Sequence, residues 1–174
     1  TVVSPFPQSY GIGDVITVFG RDYRLNRLPK VSKTGMQEYQ YDLEFEGIQY
    51  DLMRVTYDVN INTTNNKLQD IQGDSLTGDL KRFMEVLISN VNRVFPGKWA
   101  LGVCPETDGD NTLTFSESDN CLSVLQTLCS EDKFGVEFEI ERVNGVYVIN
   151  IKKNIGQTLP LVLEHGKGKG LYSI

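Results

Sequence analysis

The sequence predicts an α+β protein, because two of its regions have different hydrophobic periods. Apolar side chains recur at helical spacing in one region, at Leu80, Phe83, Met84, Leu87, Val91 and Val94. In residues 136–151 apolar side chains instead alternate with polar ones around Asn144-Gly145, a pair that favours a tight hairpin turn. We therefore expect two helices packed on a small antiparallel sheet, next to a β-rich segment.

Residues 1–60 form the predicted β-rich, barrel-like segment. Val15–Phe19 and Tyr23–Leu28 are predicted to pair around a turn at Gly20-Arg21-Asp22. Met36–Ile48 has the clearest strand pattern, because apolar and polar residues alternate along it, and Gln49–Tyr57 is predicted to continue as another strand. Together these strands predict an antiparallel meander that forms part of a small barrel or sandwich.

A polar stretch, residues 58–73, is predicted to be a loop or domain junction, and an α/β domain follows it at residues 74–155. The predicted order of elements in this domain is helix, strand, strand, helix, strand, strand. The first helix covers about residues 77–94, with Thr77 as its N-cap, and Phe95-Pro96-Gly97 ends it.

The second helix of this domain is expected at about residues 119–131, where apolar side chains again have helical spacing. Ser116 or Ser118 is its predicted N-cap. Short strands are predicted at Trp99–Val103 and Thr112–Phe115, between the two helices.

Residues 156–174 are predicted to form a return strand, Gln157–Glu164, and a glycine-rich connection. The chain begins without Met and ends at Leu171–Ile174 in what resembles the start of a strand. We therefore expect it to be part of a longer polypeptide, with a C-terminal part that follows the glycine-rich connection.

Length and composition restrict the possible functions. The 174 residues suffice for one core or two small domains, and the net charge is −6. No run of 18 apolar residues occurs, so no membrane span is predicted. The spacing of the three cysteines matches neither a disulfide framework nor a zinc site. Cys121 and Cys129 are predicted to be small core residues. A reducing, intracellular environment is the predicted site of assembly.

The sequence predicts no catalytic, cofactor-binding or metal-binding set. Residues 21–33 are basic, but without an aromatic platform they indicate a strand face or a subunit contact rather than nucleic-acid binding. Asp108–Asn111 lacks the glycine and glutamate of a calcium loop, and residues 165–170 lack the GxxxxGK[ST] pattern. The acidic residues that alternate along two strands are predicted to face solvent: Asp42, Glu44, Glu46, Glu137, Glu139 and Glu141.

Several stretches together resemble the baseplate hub and tail-tip proteins of tailed bacteriophages and prophages. The similar stretches are Leu76-Thr77-Gly78-Asp79-Leu80, Trp99-Ala100-Leu101-Gly102, Leu113–Ser116, Cys121–Gln126, Phe134–Ile140 and Gly166–Leu171. The resemblance covers about residues 15–174. It implies small barrel-like domains with an inserted α/β domain, and a homotrimeric ring at the tail tip that joins the tail tube to the spike or fibres. It further implies a virion tail, or a tail-like particle, assembled in the bacterial cytoplasm.

Two alternative functions remain open at the level of sequence. The first is a carbohydrate- or cell-surface-binding module, in which aromatic side chains would stack on sugars: Tyr39, Tyr41, Tyr50, Tyr57 and Trp99. The second is a fragment of a tail-associated cell-wall hydrolase. A hydrolase would need a catalytic carboxylate or a Cys–His pair, and the only histidine, His165, lies in the glycine-rich stretch.

Overall fold

The computed structural model describes residues 1–33, 38–61, 71–72, 74–156, 164–165 and 170–171. It confirms the α+β class, with several small sheets and two α-helices, and no sheet of the described residues closes into a barrel. The N-terminal strands are β1 (Val2–Ser4), β2 (Val15–Val18), β3 (Arg21–Leu25), β4 (Lys30–Lys33), β5 (Tyr39–Asp42) and β6 (Phe45–Gly47). The later elements are a 3-10 helix (Ile48–Arg54), β7 (Ile71–Gln72), β8 (Ser75–Gly78), α1 (Leu80–Val94), β9 (Trp99–Leu101), β10 (Asn111–Thr114), α2 (Cys121–Cys129), β11 (Glu137–Val143), β12 (Val146–Lys152), β13 (Glu164–His165) and β14 (Gly170–Leu171).

The N-terminal strands form two three-stranded antiparallel sheets, in the orders β1-β5-β4 and β2-β3-β6. The single strand predicted over Met36–Ile48 is interrupted, because β5 and β6 belong to different sheets and the chain leaves strand geometry at Leu43-Glu44. Residues 36–37 of that prediction lie outside the described residues. The predicted hairpin of β2 and β3 is present, but its turn is Phe19-Gly20 and Asp22 lies within β3.

The strand predicted over Gln49–Tyr57 is wrong, since the 3-10 helix occupies most of it. Ile48, Leu52 and Val55 are buried and lie three or four positions apart, a spacing that places them on one side of a helical turn. The helix packs against α2, so a long-range contact decides the local conformation.

Part of the polar stretch 58–73 is a sheet rather than a loop. β8 pairs with β7 and with β10, and Thr77 is opposite Thr112 in this sheet. Residues 62–70 and 73 lie outside the described residues.

Because Thr77 lies within β8, it is not the N-cap of α1. The cap is Asp79, whose Oδ1 accepts a hydrogen bond from the backbone N–H of Arg82 at 2.8 Å.

The second helix also begins later than predicted. Its N-cap is Asn120, whose side-chain oxygen accepts hydrogen bonds from the backbone N–H groups of Leu122 and Ser123. The hydroxyl of Ser123 in turn accepts a hydrogen bond from the N–H of Asn120, which completes a capping box. Ser116 and Ser118 instead share a hydrogen bond in the preceding turn.

The hairpin of β11 and β12 is as predicted, with Asn144 at φ 51° and Gly145 at φ 84° between the paired residues Val143 and Val146. β9 adds to this sheet parallel to β12, so the sheet is mixed rather than purely antiparallel. The predicted order of helices and strands is confirmed, although β9 and β10 belong to different sheets.

The main core lies between the helices and β12. Leu80, Phe83, Leu87, Leu125, Leu128, Ile149 and Ile151 are all fully buried there. Cys121 is also fully buried, as predicted, and Cys129 is partly buried. Of the predicted return strand Gln157–Glu164, residues 157–163 lie outside the described residues, and β13 pairs with β14.

Candidate functional site

Exposed apolar side chains are concentrated at the N-terminal end of the chain. Among the described residues, ten of fifteen exposed large hydrophobic side chains precede residue 32. These ten, here called the apolar surface, are Val2, Val3, Phe6, Ile12, Val15, Ile16, Val18, Phe19, Leu28 and Val31. They are distributed over β1, β2, β4 and the adjoining loops, and this concentration of exposed apolar side chains makes the N-terminal part a candidate contact surface.

Strand β2 contributes three of these side chains. It is an outer strand of its sheet, and Val15, Ile16 and Val18 are each 39–40% exposed. The adjoining Phe19 is completely exposed and has φ 49°, a left-handed conformation that usually selects Gly, Asn or Asp. The sequence signal for this site was an uncharged strand that ends in Phe-Gly.

Three of the five basic side chains in segment 21–33, Arg24, Arg27 and Lys33, have partners within the chain. Arg24 forms an ion pair with Asp51 at 3.1 Å, and the Asp51 side chain is only 2% exposed. Burial raises the pKa of Asp51, and the nearby Arg24 charge opposes that rise. Arg27 pairs with Glu44 at 3.5 Å. These contacts favour a structural role for the segment over phosphate binding.

The Lys33 ammonium group, at the end of the same segment, lies 5.4 Å from the centre of the Tyr39 ring. This spacing allows a cation–π contact. Lys33 is therefore another basic side chain of the segment with a partner inside the chain.

A cleft of about 640 Å³ separates the β2–β3 turn from β11. Asp22 lies in its wall, and its side chain is 5% exposed. The carboxylate accepts hydrogen bonds from Thr17 Oγ1 at 2.7 Å, from Arg142 Nη1 at 3.1 Å and from Tyr147 Oη at 3.3 Å. Asp22 thus joins the N-terminal hairpin to the hairpin of β11 and β12.

The surroundings of Tyr147 in this network favour its neutral form. Burial raises the pKa of Tyr147, and the negative charge of Asp22 raises it further. Oδ2 of Asp22 accepts from Arg142 and Tyr147 and so joins the two hairpins, whereas Oδ1 accepts from Thr17 within the β2–β3 hairpin. Sequence patterns did not reveal this network, since Asp22 and Arg142 are 120 positions apart.

The acidic row on β11 is only partly solvated. Glu137 and Glu141 are exposed, as predicted, but Glu139 is partly buried and bonds to Lys152. This hydrogen bond raises the pKa of Lys152. Glu137 Oε2 accepts a hydrogen bond from the backbone N–H of Ile155 at 2.8 Å. Glu137 and Glu139 therefore help to fix the end of β12.

The aromatic residues considered for sugar stacking do not form one exposed row. Tyr41, Tyr57 and Trp99 are buried. The Trp99 ring packs against Tyr147, with 5.2 Å between the ring centres. Tyr39 is partly buried and Tyr50 is exposed. Most of these aromatic side chains therefore stabilise the fold.

Within the described ranges, no group of three or more His, Cys, Asp or Glu side chains is arranged to hold a metal ion. Burial raises the pKa of Cys104 and of Cys129 to about 11 and that of Cys121 to about 12, so these thiols are protonated near neutral pH. No helix in the described part of the chain is both long and apolar enough to cross a bilayer.

No protein-family model, curated protein or solved structure matches this chain.

Proposed function

We propose that this chain is a structural component of a phage or prophage tail. In this role it is a baseplate hub or tail-tip protein that links the tail tube to the spike or fibres. It self-associates, as a homotrimer in the full-length protein, and contacts other tail proteins in a particle assembled in the bacterial cytoplasm. The sequence motifs supply the tail assignment, and the apolar surface is the observation that carries the role in assembly.

The apolar surface favours assembly for a physical reason. Side chains such as Phe6, Phe19 and Leu28 are exposed to water, and β2 and β4 are outer strands of open sheets. Outer strands present unpaired N–H and C=O groups, which natural proteins usually protect with charge or with a covering element. Within an assembly, partner proteins cover such outer strands. In a ring, the same contact is repeated between neighbouring subunits.

The cleft is consistent with a structural role. Asp22, its most enclosed carboxylate, accepts hydrogen bonds from Thr17, Arg142 and Tyr147. A general base needs a free oxygen within reach of a substrate proton. Oδ2 of Asp22 instead connects two parts of the chain and Oδ1 bonds to Thr17, so we assign this carboxylate to the fold.

Immunogold microscopy of tail particles tests the proposal. An antibody raised against this chain is applied to particles sedimented from an induced culture of the source bacterium. A strain that lacks the gene serves as the control for antibody specificity. We expect gold at one end of the tail tubes in the parent strain and none in the deletion strain.

Two outcomes would contradict the proposal. Label that stays in the soluble fraction would show that the chain is not part of a particle. Label that coats whole cells would favour the surface-binding alternative, and glycan-binding and wall-degradation assays would then follow.

A further inference from the structure

The mixed sheet of β11, β12 and β9 has two outer edges, which differ in how the chain covers them. At the β9 edge, the Asn92 side chain of α1 donates a hydrogen bond to the backbone C=O of Trp99 at 2.8 Å and accepts one from its N–H at 3.2 Å. These are the groups with which a neighbouring strand would pair. Among the described residues, β11 pairs with β12 alone, so its outer edge is available.

The outer edge of β11 opens into the cleft that separates this strand from the β2–β3 turn. The five consecutive residues from Phe138 to Arg142 all line the cleft. Because neighbouring side chains of a strand point to opposite faces of the sheet, a cavity lined by all five runs along the edge of the strand. An outer strand presents unpaired N–H and C=O groups along that edge. The cleft therefore offers a regular row of backbone donors and acceptors.

The opposite wall of the cleft restricts what can pair with this row. It is formed by residues 19–23 of the β2–β3 hairpin, which Asp22 ties to Arg142 and Tyr147. The space of about 640 Å³ lies within the roughly 300–1,000 Å³ of small-ligand sites. A folded domain is too large for this space, whereas a single extended segment of a few residues fits it.

The two faces of β11 determine the chemistry of such a segment. Phe138 and Ile140 pack against the main core, and Glu139 and Glu141 alternate with them on the opposite face. Across adjacent strands, side chains on the same face lie beside one another, and opposite charges attract. Glu139 already bonds to Lys152, whereas Glu141 is exposed. Apolar side chains therefore suit one face of an added strand, and a basic side chain beside Glu141 suits the other.

Phe19 supplies an apolar contact from the hairpin wall. Its side chain lines the cleft and is completely exposed to water in the described chain. A segment bound in the cleft would cover part of this ring. Aromatic side chains that become buried on binding often contribute most of the binding energy of a contact.

We propose that the cleft binds an extended segment of another polypeptide, which adds to the sheet as a strand beside β11 and alternates apolar with basic residues. Such recognition combines main-chain hydrogen bonds with contacts of alternate side chains. A short segment covers little area and loses conformational freedom on binding, so the dissociation constant lies in the micromolar to millimolar range. The site shares only Phe19 with the apolar surface, so it is additional to the ring contacts of the proposed function.

Fluorescence anisotropy with labelled synthetic peptides measures this binding to the full chain. Two peptides have the length of β11, seven residues, and alternate valine with either lysine or glutamate. We expect the Val/Lys peptide to bind at least about tenfold more tightly than the Val/Glu peptide, because only lysine complements Glu141. Replacing the central valine of the Val/Lys peptide by proline keeps its charge but removes a backbone N–H, and should weaken binding.

Two charge variants test whether the binding occurs beside β11. Glu141→Lys should reverse the preference between the Val/Lys and Val/Glu peptides. Glu131→Lys is the matched control, because it changes the net charge equally at an exposed position that follows α2. The control should retain the preference of the parent chain.

Two aromatic variants test the hairpin wall. Phe19→Asn removes the ring, but asparagine suits the positive φ of this turn, so the hairpin is retained. The dissociation constant for the Val/Lys peptide should rise at least about tenfold. Phe6→Asn removes another exposed ring that does not line the cleft, and should leave the affinity unchanged. Circular dichroism verifies that both variants are folded.

Amide hydrogen exchange with the Val/Lys peptide bound identifies the strand that it joins. Exchange should slow in β11 and remain unchanged in β9. The inference would be overturned if the peptide failed to bind, if Glu141→Lys and Glu131→Lys behaved alike, or if the peptide protected β9 and not β11. A peptide of residues 157–163 is also tested, and tighter binding of that peptide would assign the cleft to the chain itself and overturn the proposal of a separate partner.

Failure of this inference is distinguishable from failure of the proposed function. Gold label at the tail tip together with no peptide binding would retain the tail assignment and remove only the cleft as a binding site. Peptide binding together with label in the soluble fraction would retain the cleft and remove the tail assignment.

Discussion

At the scale of single residues, Asp22 makes the contact that joins distant parts of the chain. Its buried carboxylate accepts hydrogen bonds from Thr17 on the neighbouring strand, and from Arg142 and Tyr147 at the far end of the sequence. Replacing it leaves the Tyr147 hydroxyl and the Arg142 charge without their acceptor. We expect Asp22→Ala to lower the free energy of unfolding by about 2–3 kcal/mol.

Two further variants separate charge from hydrogen bonding at this site. Asp22→Asn keeps one acceptor oxygen and should cost about 1 kcal/mol. Arg142→Ala should cost less than Asp22→Ala, because the Arg142 side chain is 54% exposed and its ion pair is weakened by solvent. Urea denaturation measures all three variants. Equal losses for Asp22→Ala and Arg142→Ala would refute the assigned importance of the Thr17 and Tyr147 contacts.

Cys121 predicts a specific loss of stability at alkaline pH. Burial raises its pKa from 9.0 to about 12 in the folded chain. The folded state therefore retains a proton that the unfolded state releases, so stability is complete below pH 9 and falls as the pH rises from 9 towards 12. The slope contributed by this thiol approaches about 1.4 kcal/mol per pH unit within that window.

Urea unfolding at pH 8, 9 and 10 measures this effect. The Cys121→Ala variant lacks the titrating thiol, so its stability relative to the parent should improve between pH 9 and pH 10. Cys129→Ala gives a comparison at a less enclosed thiol on the same helix. A constant difference between the parent and Cys121→Ala over this range would show that Cys121 ionises equally in both states.

At the scale of secondary-structure elements, the start of α2 gives a test with internal controls. The Asn120 side chain accepts two backbone hydrogen bonds and forms a capping box with Ser123. Asn120→Ala should therefore lower the free energy of unfolding by about 1–2 kcal/mol. Ser116→Ala and Ser118→Ala should each change it by less than about 0.5 kcal/mol, because these hydroxyls bond to each other in an exposed turn. A larger effect at either serine would show that α2 begins earlier than the structure indicates.

Elements with local determinants were predictable from sequence, and those with distant determinants were not. Asn144-Gly145 specifies its hairpin because both residues accept a positive φ. Helix α1 shows an uninterrupted apolar stripe. In contrast, the 3-10 helix at Ile48–Arg54 depends on packing against α2, and β8 depends on pairing with β10, more than 30 residues away. Local patterns cannot reveal such partners.

The candidate site likewise combines a feature that the sequence showed with features that only the structure showed. The uncharged strand Val15–Phe19 was visible in the sequence, and its position at the edge of a sheet required the structure. The buried network around Asp22 had no local signature, because its donors come from β2, β11 and β12. The sequence therefore indicated where strands occur, but not which strand would remain uncovered.

At the scale of the whole molecule, the main core and the apolar surface belong to different parts of the chain. Among the described residues, none before Ile48 contributes to the main core. The N-terminal sheets have a separate and smaller set of buried apolar residues, which includes Leu25 and Tyr41. Tyr41 packs edge-to-face against Tyr10, with 5.2 Å between the ring centres. The two parts should therefore differ in local stability.

Amide hydrogen exchange measures this difference directly. We expect the amides of α1 and β12 to exchange only by global unfolding, because both elements lie in the main core. Amides of β1–β4 should exchange at least about 100-fold faster in the isolated chain, since little apolar area holds those sheets closed. The hairpin partner β11 is an internal control, because it is an outer strand like β2 but belongs to the sheet that covers the core. Equal protection of β2–β3 and β12 would refute the division into a stable core and a weakly held N-terminal part. Greater protection of β2–β3 at high protein concentration would show that self-association stabilises the N-terminal sheets.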